Sequence, residues 1–103
     1  MVHYFDTVES TTSTPNIRVD ASTTLNSSMN VGEAITVVLI SSAAAAGYSA
    51  QLTIDGAAVT EKWLGGSAPS TGGSSGVDVY TYNIIKYSST PIWSVLANVV
   101  NFA

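Results

Sequence analysis

The chain contains no cysteine and only one histidine, and its three basic residues are outnumbered by seven acidic ones. Without cysteine there is neither a disulfide framework nor a thiolate metal site, so folding rests on packing alone. The single histidine, His3, has no second histidine or cysteine to work with, and a Ser-His-Asp or Cys-His unit would need it fixed near the N-terminus by contacts that nothing in the sequence indicates. A net charge of −4 argues against nucleic acid as a partner, because affinity for phosphate backbones comes from clustered Lys and Arg. No apolar run approaches the ~20 residues of a membrane helix, and the N-terminus, MVHYFDTVES, lacks the basic and apolar regions of a signal peptide. The expectation is a non-secreted chain without a membrane span.

Charge of either sign is scarce. Only 10% of the residues are charged, against a globular average of about 25%, and Ser and Thr supply the polar surface instead. So few charges point to a surface that is partly covered in use. The carboxylates Asp6, Glu9, Asp20, Glu33, Asp55, Glu61 and Asp78 are scattered, with no D-x-D-x-D-G loop for calcium. They read as solvated turn residues, and no metal or cofactor is expected.

What is present is β-patterning. With 46% hydrophobic residues in 103 positions, the chain builds one core and one domain. Ala34 to Ile40 is β-branched and apolar on both parities, which predicts a central strand buried on two sides. Pro15 is followed by a short alternating strand, Ile17-Arg18-Val19, and Thr23 to Met29 reads as a weak strand or turn around Leu25. SSAAAAG, 41 to 47, is too short to hold a helix and predicts a single turn or an open loop. Tyr48 to Ile54 alternates into Asp55-Gly56, a tight-turn dipeptide, and predicts a hairpin with Ala57 to Thr60. Val77 to Ile85 and Ile92 to Val100 form a second hairpin around Ser88-Ser89-Thr90-Pro91. Roughly six to eight short strands with turns between them indicate an all-β fold, a small antiparallel, jelly-roll-like β-sandwich. Residues 1–22 read as an N-terminal arm ahead of the module at 23–103. Val2, Tyr4, Phe5 and Val8 would anchor that arm to another subunit by strand pairing.

Between the two hairpins runs WLGGSAPSTGGSSG, Trp63 to Gly76. It has glycines like a phosphate cradle, but it lacks the P-loop lysine and leads into a strand, so that reading fails. The glycines predict a long surface loop lying over Trp63, with Ser67, Ser70, Thr71, Ser74 and Ser75 outward; Asp78, if inward, would accept hydrogen bonds from loop amides and hold the loop. Trp63, Tyr80, Tyr82, Tyr87 and Trp93 suit a sugar-binding face, with a host-surface glycan as partner. They suit a core or an oligomer interface better.

In order, GEAITVVLIS (Gly32 to Ser41), TIDGAAV, KWLGGSAPSTGGSSGVDVYTYNII and PIWSVLANVVNFA resemble an all-β module of tail-fibre and other surface proteins of tailed bacteriophages. The resemblance covers residues 23–103. It is carried by the Trp-x-Gly-Gly-x-Ala-Pro loop (Trp63, Gly65, Gly66, Pro69), by Asp78 between two valines, and by the Phe102-Ala103 ending. It implies a virion protein assembled in the host cytoplasm, with other virion proteins and copies of itself as partners. Members of that family often end a long fibre, whereas about 22 residues precede the module here. The expectation is therefore a non-enzymatic capsid decoration or knob protein, with a receptor-binding tip or tail adaptor as the alternative. Interface or loop-pinning roles are expected for Trp63, Gly65, Gly66, Pro69, Asp78, Tyr80, Tyr82, Trp93 and Phe102.

Overall fold

The computed structural model of the chain describes residues 14–42, 51–69, 73, 75–88 and 92–103, together with the backbone of 2–8. Three strands form its centre: β3 (Ala34–Ser42), β7 (Val77–Lys86) and β8 (Trp93–Phe102), each antiparallel to the next. Their period of two places Val37 opposite Tyr82 and Tyr82 opposite Ala97, with Leu39 opposite Tyr80 and Ile84 opposite Val95. All seven of these side chains are buried, and they form the floor of the core. Such cross-strand pairs of aromatic and branched residues stabilise a sheet by roughly 0.2–1 kcal/mol each.

Both edges of this sheet are parallel additions. β1 (Val2–Val8) pairs with β3, with a register shift between Phe5 and Val8, and β6 (Glu61–Trp63) pairs with β8. The strand order is β1-β3-β7-β8-β6. The segment expected as an arm is thus, over 2–8, an edge strand of its own chain's main sheet. Further along the same segment, Ile17 is a core residue.

A second, small sheet lies over the floor: β2 (Asn16–Ile17) parallel to β4 (Thr53–Ile54), and β4 antiparallel to β5 (Ala57–Ala58). The hairpin turn is the expected Asp55-Gly56, with φ of 53° and 81°. Positive φ at both central residues is the I′ geometry that matches strand twist, and Asp tolerates it better than most residues. Ile17, Leu52 and Ile54 from this layer, with Leu25 and Met29, complete the core. Two packed sheets make the chain a small all-β sandwich.

Where Thr23 to Met29 reads as a strand or turn, the chain makes one turn of helix, α1 (Leu25–Ser28). A four-residue helix has no stability of its own, and this one is held at both ends. At its start, Thr24 Oγ1 accepts from Ser27 N (3.1 Å), while the Asp55 carboxylate accepts from Leu25 N (2.6 Å) and Asn26 N (3.0 Å). At its end, the buried Lys86 Nζ donates to the carbonyls of Asn26 and Met29, both at 2.9 Å. An anion on the free amides and a cation on the free carbonyls is the arrangement a helix dipole favours.

One expectation is corrected. β3 is not buried on both sides: Val37 and Leu39 are buried, but Ala34 and Thr36 are exposed and Val38 and Ile40 only half-buried. The second layer packs on one face of the main sheet, so β-branching on the other parity serves the pleat rather than a second core. The readings made for 43–50 and for the turn at 89–91 lie outside the described residues.

Candidate interaction surfaces

Asp78 points into the fold and is 1% exposed. Its Oδ2 accepts from Gly73 N at 2.9 Å, and its Oδ1 accepts from Asn101 Nδ2 at 2.9 Å. Asn101 is its partner across the β7–β8 ladder, and the same Nδ2 also donates to the carbonyls of Ser75 (2.9 Å) and Val77 (3.3 Å). The end of the glycine-rich loop is therefore tied down by a carboxylate and an amide acting together. A buried carboxylate is tolerated because both oxygens are hydrogen-bonded. Asn101 was not among the expected site residues, and its place opposite Asp78 follows only from the strand register.

At the start of that loop, Leu64–Gly66 forms a 3-10 turn in which Gly65 and Gly66 take φ of 83° and 89°. The glycine pair is thus a conformational requirement. Trp63 is half-buried, its ring edge-to-face with Tyr82 at 6.1 Å and 75°. With Pro69, Gly66, Glu61, Lys62 and Gln51 it lines a cavity of about 660 Å³. Residues 70–72 and 74, three of them hydroxyl residues expected to face outward, lie outside the described residues. Tyr80 and Tyr82 are fully buried core residues, which takes both out of any sugar-binding face. Trp93 is half-buried and Tyr87 exposed, and together they line a second cavity of about 600 Å³ with Thr60, Lys62 and Ser94.

A further surface, of which only Phe102 was an expected interface residue, lies on the main sheet. On the side of the main sheet away from the core, the ladder rows run Ala34–Ile85–Ser94, Thr36–Asn83–Leu96, Val38–Thr81–Asn98, Ile40–Val79–Val100 and Ser42–Val77–Phe102. No residue in these rows carries a charge. Leu96, Val100 and Phe102 are 45%, 47% and 59% exposed, and among the described residues no second layer packs on this side. Its polar members are neutral, and two of them satisfy each other, Thr36 Oγ1 donating to Asn83 Oδ1 at 2.8 Å. Phe102 belongs to this face. The anchor residues Val2, Tyr4, Phe5 and Val8 lie in the strand beside it, opposite Val38, Ile40, Ser41 and Ser42. The sequence signal is apolar residues on both parities of β3, β7 and β8, which by itself fits a strand buried on two sides as well.

His3 lies in β1 opposite Leu39. Among the described residues, no group of three or more His, Cys, Asp or Glu side chains comes together in a way that could hold a metal ion, and no helix is long and apolar enough to cross a membrane. No protein-family model, curated protein or solved structure matches the chain.

Proposed function

We propose that the chain is a non-enzymatic structural protein of a bacteriophage particle, assembled in the host cytoplasm and displayed on the particle exterior as a capsid decoration or knob. The observation that carries this reading is the uncharged, half-exposed outer face of the main sheet. A chain with only ten per cent charged residues keeps charge off the outer side of its three central strands, with Lys62 of β6 at the rim, and places Leu96, Val100 and Phe102 there. Contiguous apolar surface of that kind marks a protein-contact site. The sequence resemblance to phage surface modules supplies the setting, and the net charge of −4 goes with protein rather than nucleic-acid partners.

The test is the number and position of copies on purified particles of a phage that encodes the chain. Gel densitometry and electron microscopy are expected to find many copies spread over the capsid. A handful confined to the tail would overturn decoration.

The cavity beside Trp63 favours a second reading, a tail-fibre-type receptor-binding tip or tail adaptor. A half-buried indole next to Glu61, Lys62 and Gln51 offers a flat ring and polar groups of the kind that bind a host-surface glycan. That reading requires the purified chain to bind host cells at micromolar concentration and Trp63→Ala to abolish binding. Absence of wild-type binding would sink it.

A further inference from the structure

We infer that the occupant of the outer sheet face is a second copy of this chain, packed face to face about a two-fold axis. This rests on the proposal that the chain works by protein contact, and it names the partner.

Three observations carry it. The first is charge. Each copy has a net charge of −4, so two copies repel wherever their carboxylates approach, and any contact that covers a carboxylate must also desolvate it. The five ladder rows hold no carboxylate and no cation, and the charge beside them is the cation Lys62 at the rim rather than a carboxylate, so across the rows two copies can meet without either cost. Charge complementarity is what ordinarily selects a different protein as partner, and the three central strands offer it no charge; the cation beside them is Lys62 of β6, at the rim next to Leu96.

The second is area. β3, β7 and β8 run for nine, ten and ten residues. At a rise of about 3.4 Å per residue and a strand spacing of about 4.8 Å, with an edge strand on either side, the face covers on the order of 500–700 Å². Burying it on two copies removes about 1,000–1,400 Å², which reaches the roughly 1,000 Å² that a specific interface requires.

The third is the layout. The apolar residues are densest at one end, in the rows Ile40–Val79–Val100 and Ser42–Val77–Phe102, while the middle row joins Val38 to the neutral Thr81 and Asn98. A two-fold axis passing close to Val79 sets this cluster against its own copy. It then forms an isologous contact between two sheets about 10 Å apart, the spacing of a sandwich.

The experiment uses the whole chain. Sedimentation equilibrium of wild type at about 100 µM is expected to give twice the 10.6 kDa chain mass, with a dissociation constant in the micromolar range or tighter. The double variant Val100→Lys, Phe102→Lys changes two exposed side chains, so its circular dichroism and melting curve are expected to stay as in wild type. Its dimer is expected to weaken at least about 100-fold, since like charges brought together at a dry interface repel with little solvent to screen them. Because the chain has no native cysteine, Val79→Cys supplies a single label, which a short bismaleimide is expected to join into a covalent dimer. A wild type that stays monomeric, or a dimer that ignores both lysines and leaves Val79→Cys uncrosslinked, overturns the proposal. A monomer that still coats phage particles removes only the second copy as occupant. A dimer that never joins a particle removes the virion reading and leaves the pairing standing.

Discussion

Asp78 and Asn101 face each other across the β7–β8 ladder, and the amide of one donates to the carboxylate of the other at 2.9 Å. Through this pair the end of the glycine-rich loop is fastened to the last strand of the sheet. Asp78→Ala leaves Gly73 N and one Asn101 donation without their acceptor. The expected loss is about 2 kcal/mol, since an orphaned donor costs about 1–3 kcal/mol, seen as a fall of about 10 °C in the melting temperature. Asp78→Asn keeps an acceptor for Gly73 and is expected to lose less. A melting temperature unchanged by Asp78→Ala would show that the loop is held by other contacts.

Two glycines test backbone geometry separately from space. Gly76 has φ of 74°, and a Cβ there would run into the Phe102 carbonyl oxygen and Ala103 Cα. Gly66 has φ of 89° but open space around it. Gly66→Ala is expected to cost only the left-handed penalty, about 1–2 kcal/mol. Gly76→Ala adds displacement of the end of β8 and is expected to cost more than about 3 kcal/mol. Urea midpoints compare the two; equal midpoints would contradict the assigned close approach.

Asp55 and Lys86 grip opposite ends of α1. Asp55→Ala removes the acceptor for two amides and puts alanine at φ 53°, a combined loss of about 2 kcal/mol. Asp55→Asn keeps the turn and part of the cap, and is expected to recover about half of that loss. Lys86→Met fills similar volume but leaves the Asn26 and Met29 carbonyls without their donor, costing about 1–3 kcal/mol. Chemical denaturation of the three variants gives these values directly.

Asp20 provides a local pH test. The Ser22 amide (2.8 Å) and the Ser22 hydroxyl (3.1 Å) donate to its carboxylate and hold its pKa below the ordinary value. A lowered pKa means that the contribution is present above the unfolded pKa, about 3.9, and is lost as pH falls through the folded value. Ser22→Ala is expected to move the Asp20 titration, followed by NMR, upward toward the ordinary carboxylate range.

The three long strands and the Asp55-Gly56 hairpin were legible because their causes are local: period-two patterning and a dipeptide that accepts positive φ. α1 was not, because its stability comes from Asp55, about 30 residues away, and Lys86, about 60 away. A short polar segment carries no trace of such partners. The outer face was misread for a related reason. β-branched residues on both parities fit a strand buried on two sides and a strand with one dry, uncovered side equally well, and only the second layer's position separates them. Asn101 reads as an ordinary polar residue near the C-terminus until the register sets it opposite Asp78.

The most direct measurement of the central claim is side-chain footprinting with a photogenerated carbene, comparing the dilute chain with the chain bound on purified particles. Val100 and Phe102 are expected to label in the dilute chain and to be protected on the particle, while Leu64, 79% exposed beside the Trp63 loop, labels in both. Protection at Leu64 with Val100 and Phe102 still labelled would contradict the account and move the working surface to the Trp63 loop.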